Sequence, residues 1–105
     1  MNLQDESVHV GRLTTIGRKT GQKRTVELRL VYYRGHFYAT TSQVENKHWC
    51  RNMIKNPAVE ISVAGLEFRC AARQVTDEKL CGRILTLRDS PGLVGRVVFE
   101  ITPHP

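Results

Sequence analysis

Apolar residues recur at alternate positions through much of this chain, the period of a strand with one face turned to a core. From Thr25 to Tyr33, Val26, Leu28, Leu30 and Tyr32 fall on one face and Glu27, Arg29 and Val31 on the other. Arg34-Gly35 interrupts the run, and His36 to Thr41 resumes it with Phe37 and Ala39 pointing inward. Two such runs joined by two turn residues predict a β-hairpin. Val8 to Thr15 is a weaker strand candidate. Ala58 to Val63 carries Val59, Ile61 and Val63 in phase. Ala64-Gly65 then turns into Leu66 to Val75, where Leu66, Phe68, Cys70 and Ala72 alternate. Gly95 to Ile101 supplies a last strand.

Two segments change period. After Asn46, a residue type that caps helices, Trp49 and Met53 form an i,i+4 pair, as do Cys50 and Ile54. All four are assigned to one apolar stripe, and Pro57 ends that helix because the residue before proline leaves the α region. Thr76 is the expected cap of a second helix. Asp77 and Glu78 sit in its first turn, where the helix dipole favours acid. Leu80, Ile84 and Leu87 make its stripe, and Ser90-Pro91-Gly92 stops it. The pattern predicts a mainly β (α+β) domain: an antiparallel barrel of about six strands with two short helices plugging its ends. Turns this short exclude parallel crossovers.

Composition narrows the class. A chain of 105 residues supports one domain, residues 1–105. An apolar fraction of 40% and a charged fraction of 25% are globular values, so disorder is excluded. No apolar run approaches the roughly 18 residues that span a bilayer, and Met1 to Glu6 lacks the basic and apolar regions of a secretory signal. Cys50, Cys70 and Cys81 are widely spaced and odd in number, which argues against a disulfide framework or a zinc site. Reduced thiols packed as small apolar groups, in a cytoplasmic protein, are the expectation, with no metal. The net charge of +6 calls for an anionic partner but does not choose one.

The candidate chemistry lies in three stretches. Thr14 to Arg24 places Arg18, Lys19, Lys23 and Arg24 around a loop bracketed by Gly17 and Gly21. Glycine lets backbone N–H groups approach a ligand, Arg grips phosphate with two donors, and Thr20 adds a hydroxyl. This is chemistry for a phosphate. It is equally chemistry for a solvated hairpin loop with a basic rim, and both readings stand. Thr40, Thr41, Ser42 and Gln43, at a strand end, suit a polar ligand or their own turn. Trp49 and Asn52 suit a ring and an amide, although a lone Trp on an apolar stripe is usually core. His48 reads as a solvated first-turn residue. No Ser-His-Asp set, carboxylate pair or activated cysteine is visible, so the catalytic residues are unknown and a borrowed cofactor would carry any reaction.

Taken in order, these stretches resemble the deazaflavin-dependent nitroreductase family, within the split β-barrel class of FMN-binding, pyridoxamine-phosphate oxidase-like proteins. Leu13-Thr14-Thr15, Gly17-Arg18-Lys19-Thr20-Gly21-Gln22 and Arg24 carry the likeness, followed by Leu28, Ala39 to Ser42, Trp49, Asn52, Asn56-Pro57 and Arg73 to Glu78. The resemblance implies a homodimeric split barrel that binds coenzyme F-420, an 8-hydroxy-5-deazaflavin, near the subunit interface. It implies hydride transfer from the reduced ring to a small-molecule acceptor. By the same resemblance Arg18, Lys19, Thr20 and Gly21 would hold the phosphate with Arg24 nearby. Leu28 and Arg29 would border the ring edge. Thr41, Ser42 and Gln43 would line the ring or tail, and Trp49 and Asn52 would face the groove. The coenzyme's acidic tail suits the basic chain. This sequence has Ser42-Gln43-Val44-Glu45 where the family carries a lysine and two glycines, and Glu27-Leu28-Arg29 at the ring edge in place of Pro-Leu-Tyr. The alternatives are the same fold with FMN, a cofactor-free relic of that fold, or a basic barrel binding single-stranded nucleic acid through Tyr32, Tyr33, Phe37 and Tyr38.

Overall fold

Alternation along the strands becomes the two sides of a barrel wall. The computed structural model describes residues 3–42, 47–88 and 96–104. The elements are β1 (Ser7–Ile16), β2 (Lys23–Tyr33), β3 (His36–Thr41), α1 (His48–Lys55), β4 (Ala58–Val63), β5 (Leu66–Gln74), α2 (Glu78–Leu87) and β6 (Val97–Pro103). The strands close into a barrel in the order β1-β2-β3-β6-β5-β4, and every pairing is antiparallel. Closure removes the unpaired sheet edges that would invite aggregation. The β2–β3 turn sets Arg34 and Gly35 at φ of 49° and 84°, and the β4–β5 turn sets Ala64 and Gly65 at 52° and 77°. Both central residues in the left-handed region is the backbone of a tight hairpin whose twist matches its strands.

The inward face supplies Leu13, Leu30, Phe37, Ala39, Val59, Ile61, Val63, Cys70, Phe99 and Ile101, which form one buried cluster. A second cluster lies outside the wall, where Val31, Tyr38 and Val98 pack under Val75 and Ile84. Val31 and Tyr38 are register partners, one residue out of phase with the inner row. This explains Val31, which the strand pattern places on the outward face but which is fully buried: α2 covers it.

The two helices therefore do different work, and only one plugs an end. Helix α1 covers a barrel mouth, with Cys50, Asn52 and Met53 buried. Helix α2 lies on the outer wall over β2, β3 and β6, because Ile84 finds its apolar partners there. Ile54 is corrected from the sequence reading: it is 59% exposed. At 100° per residue it lies only about 40° from Cys50 but about 105° from the centre of the face that Cys50, Asn52 and Met53 bury, and eight residues give α1 only one buried side. The α2 cap is Asp77, one residue later than Thr76. Its carboxylate accepts from the N–H groups of Lys79 and Leu80 at 2.9 and 3.3 Å. A carboxylate satisfies those donors and the helix dipole together. The expected cap Asn46, the stop at Ser90 to Gly92 and the strand start at Gly95 lie outside the described residues.

Cys50 and Cys70 are core residues, and burial pushes their thiols up to about 12 and about 11. Among the described residues no group of His, Cys, Asp or Glu could hold a metal ion. No helix there is long and apolar enough to cross a membrane.

Candidate functional site

The loop from Gly17 to Gln22 joins β1 to β2 and is closed by its own backbone. Gly17 N–H donates to the Gln22 carbonyl at 2.7 Å, and Gly21 N–H donates to the Gly17 carbonyl at 2.9 Å. Thr20 Oγ1 accepts from Gln22 N–H at 3.2 Å. Gly21 adopts φ of 71°, a conformation costly for other residues. A Cβ at Gly17 would come within 2.9 Å of Thr20 Oγ1 and 3.1 Å of the Gln22 carbonyl. Both glycines are thus required by the loop's shape.

Helix α1 fixes the loop from behind. Asn52 is 3% exposed. Its Oδ1 accepts from the Arg18 backbone N–H at 3.3 Å and from Arg18 Nη1 at 2.9 Å. Its Nδ2 donates to Oγ1 of buried Thr15 at 3.1 Å. One buried amide therefore joins α1, the end of β1 and the loop. Arg18 also points its guanidinium at His48, with Nη1 and Nη2 at 3.5 and 3.4 Å from Nδ1. Trp49 meets Phe99 of the core edge-on at 6.3 Å between centroids and leaves its other side to the cleft.

These residues border a cleft of about 690 Å³. Its walls are Thr15 and the loop residues Gly17, Arg18, Lys19 and Thr20, then Lys23 to Val26 of β2, then His48, Trp49 and Asn52. Four cations line it, and no carboxylate is among the described residues that do. Lys23 is drawn across β1 toward Glu60 of β4 by an ion pair at 2.7 Å, whereas Lys19 and Arg24 are exposed on the rim. Positive potential focused in a concave site attracts anions. Another cleft of about 410 Å³ is bordered by Thr14, Ile16 and Ala58, and its charges include the same Lys23–Glu60 pair.

Of the residues singled out from the sequence, Arg18, Lys19, Thr20, Arg24, Trp49 and Asn52 meet at this cleft, with Gly21 in its loop. Four do not line it. Leu28 is half-buried against the inner core, and Arg29 faces outward from β2. Thr41 is buried opposite Val97, and Ser42 is exposed just beyond β3. Gln43 lies outside the described residues. Sequence reading did not assign His48, Thr15, Thr25 or Val26 to the site; it took His48 as a solvated first-turn residue, and His48 is exposed. The alternation that put Val26 on the inner face with Leu28 was a usable signal for Val26. His48 had none, because its role comes from where α1 docks.

Residues 3–87 match the family model described as F420H(2)-dependent quinone reductase. The chain belongs to that family. It is therefore an F-420-dependent oxidoreductase, and coenzyme F-420 is its cofactor. The resemblance read from the sequence named deazaflavin-dependent nitroreductases; the cofactor is shared and the acceptor in the family's description is a quinone. Solved structures agree on the fold. One described as an F420-H2 dependent reductase is 20% identical, with a TM-score of 0.63, covering 95% of this chain and 98% of that one. A putative pyridoxamine 5'-phosphate oxidase from Listeria innocua is 16% identical, with a TM-score of 0.75, over 92% and 85% of the two chains. A third, described as a domain-swapped dimer, is 22% identical, with a TM-score of 0.63, over 96% and 84%. The reductase thus has the split-barrel fold expected from its sequence.

The cleft suits such a cofactor on its own chemistry. Arg18, Lys19 and Arg24 beside a glycine-closed loop fit a phosphate, and the Val26 and Trp49 side chains fit a flat ring.

Proposed function

We propose that this reductase holds F-420 in the cleft between the Gly17–Arg24 segment and α1, and reduces a small quinone there. The carrying observation is the lining by four cations, with no carboxylate among the described lining residues, around a loop that Asn52 holds in shape. Arg18, Lys19 and Arg24 bind the phosphate, with Thr20 and the loop N–H groups around it. Trp49 and Val26 orient the ring and exclude water from one side of it. When bound, the reduced deazaflavin supplies the hydride. A quinone that accepts hydride also takes up a proton, which water or His48 supplies: His48 lines this cleft, and no Tyr, Glu or Asp is among the described residues that do. The protein's contribution is binding and orientation.

A homodimer with the cofactor site near its interface is part of this reading. It is supported by the exposed Val8 and Val10 on the outer face of β1, at 40% and 63%. Protonated, buried thiols support a reducing, cytoplasmic setting. Nitroaromatic acceptors remain the second acceptor class, as the sequence resemblance implies. FMN is the competing cofactor, carrying one phosphate and no acidic tail. The nucleic-acid reading loses its aromatic platform, since Phe37 and Tyr38 are 0% and 2% exposed.

The test is a fluorescence titration of the purified protein with F-420, FMN and FAD, followed by turnover of reduced F-420 with quinones and nitroaromatics. F-420 binding in the micromolar range, weakened at least tenfold by Arg18→Ala, is the expected result. Equal, weak binding of all three cofactors, indifferent to Arg18, would refute it.

A further inference from the structure

Arg18 is held from two sides, and its two partners differ in kind. On the buried side, Asn52 is 3% exposed and its Oδ1 accepts from Arg18 Nη1 at 2.9 Å. On the open side stands His48, the exposed first residue of α1, with its Nδ1 at 3.5 Å from Nη1 and 3.4 Å from Nη2. A guanidinium only donates, so Nδ1 accepts in this contact. Nδ1 therefore carries no proton, and the imidazole is the neutral form with its hydrogen on Nε2. A second proton on the ring would remove the acceptor and set two cations face to face.

The charged groups around His48 are cations. The loop presents Arg18 and Lys19, and β2 presents Lys23 and Arg24 to the same cleft. On its own helix, Lys47 precedes His48 and Arg51 follows at three residues, on the same side. Lys23 has Glu60 as its counterpart at 2.7 Å, and Glu60 is not among the residues lining this cleft. Among the described lining residues no carboxylate faces the imidazole.

A ligand oxyanion alters both halves of this arrangement. It meets Arg18 from the open side, because Asn52 is buried on the other. His48 then loses the hydrogen bond that required a neutral ring and gains a negative charge in front of it. An imidazolium donates from either nitrogen, and a charge-assisted hydrogen bond to phosphate is the stronger kind. Histidine is the side chain suited to this change of charge between pH 5 and 8.

On the reading that F-420 occupies this cleft, we propose that His48 is a phosphate-binding residue, which yields Arg18 to the coenzyme and takes up a proton as it does so. A group that holds its proton more tightly in the complex than in the free protein strengthens binding in full at low pH. That gain is lost as pH rises through the titration point of the complex. F-420 affinity therefore falls between pH 6 and pH 8.

The experiment uses the full-length protein and reads the proton directly. Proton NMR follows the histidine ring signals from pH 5.5 to 8.5, free and saturated with F-420, and the His48 signal is the one absent from His48→Gln. Its titration midpoint is expected to rise by about one pH unit on binding, a tenfold gain in proton affinity. Fluorescence titration then gives F-420 affinity at pH 6 and pH 8. Over that range the wild type is expected to lose about tenfold more affinity than His48→Gln, which still accepts from Arg18 but carries no titrating proton. The 8-hydroxyl of the coenzyme is common to both titrations and drops out of the comparison. His48→Lys, a cation at both pH values, is expected to bind tighter than His48→Gln and to share its shallow pH dependence. An unmoved His48 midpoint beside F-420 binding that Arg18→Ala weakens, or equal pH slopes in wild type and His48→Gln, would overturn this role and leave the cofactor site standing. F-420 binding indifferent to Arg18→Ala would remove the cofactor site and this role together.

Discussion

Asn52→Ala is the perturbation that most directly tests how the cleft is built. The substitution removes both acceptor contacts to Arg18, at 3.3 and 2.9 Å, and the donor contact to Thr15 at 3.1 Å. A protein hydrogen bond contributes about 1 kcal/mol net, so roughly 3 kcal/mol of stability is at stake. The site is 3% exposed, so water cannot readily replace the lost amide. A domain of this size, at roughly 0.05–0.15 kcal/mol per residue, stays folded after that loss. The freed loop must then be ordered when cofactor binds, which predicts a 10- to 100-fold weaker F-420 complex, about 1.4–2.8 kcal/mol. Urea unfolding measures the first quantity and a fluorescence titration the second. Asn52→Asp separates the roles, since its carboxylate still accepts from Arg18 but cannot donate to Thr15. It also places a negative charge behind the proposed phosphate site, so its affinity falls at least as far as that of Asn52→Ala. An Asn52→Ala protein that loses stability but binds F-420 as tightly as wild type would show that Asn52 is core packing and nothing more.

Two further outcomes follow from buried groups outside the cleft. Burial works to raise the Glu100 carboxyl, but hydrogen bonds from Tyr38 and Arg73, both at 2.8 Å, outweigh it and hold the carboxyl below its ordinary value. A depressed folded-state pKa gives stability that is present above the unfolded value, about 4.3, and is lost as pH falls through the folded value. Glu100→Gln is expected to cost about 1–2 kcal/mol at pH 7, discounted because Arg73 is 60% exposed, and to flatten that part of the acid loss; denaturation from pH 3 to 7 checks it, and a parallel acid limb would count against it. With Cys50 held at about 12, roughly one thiol in 10,000 is ionised at pH 8. Ellman's reagent should therefore modify half-buried Cys81 first and reach Cys50 and Cys70 only as urea opens the barrel.

The strands were legible because the wall has a wet side and a dry side, and residues 26 to 32 and 59 to 63 record it directly. The turns were legible because Arg34-Gly35 and Ala64-Gly65 supply the left-handed backbone that tight hairpins need. Periodicity stopped being informative where a third layer intervenes. Val31 read as outward and is buried, and only the placement of α2 explains it. The cleft was half legible. A cluster of Arg, Lys and Gly carries chemistry in its composition, so Arg18, Lys19 and Arg24 stood out. Leu28 and Arg29 came from a motif that names neighbours in sequence, and along a strand neighbours face opposite ways. Arg29 accordingly turns up on the outer wall.

Asn52 shows why the loop and the core cannot be considered apart. Cys50 and Met53 anchor α1 in the barrel mouth through ordinary apolar burial. That anchorage, with Trp49 packed against Phe99, sets the height at which the Asn52 amide meets Arg18 and Thr15. The loop's own backbone bonds close its turn, but they leave Arg18 free to swing in solvent. Only the docked helix turns the side chain's carbonyl toward it. The phosphate contact proposed for Arg18 depends on a guanidinium held in place and therefore draws on the packing energy of the barrel interior. If that proposal holds, the residue on the rim and the apolar residue beneath it belong to one structural unit, and damage to either should register in cofactor affinity before it registers in secondary structure.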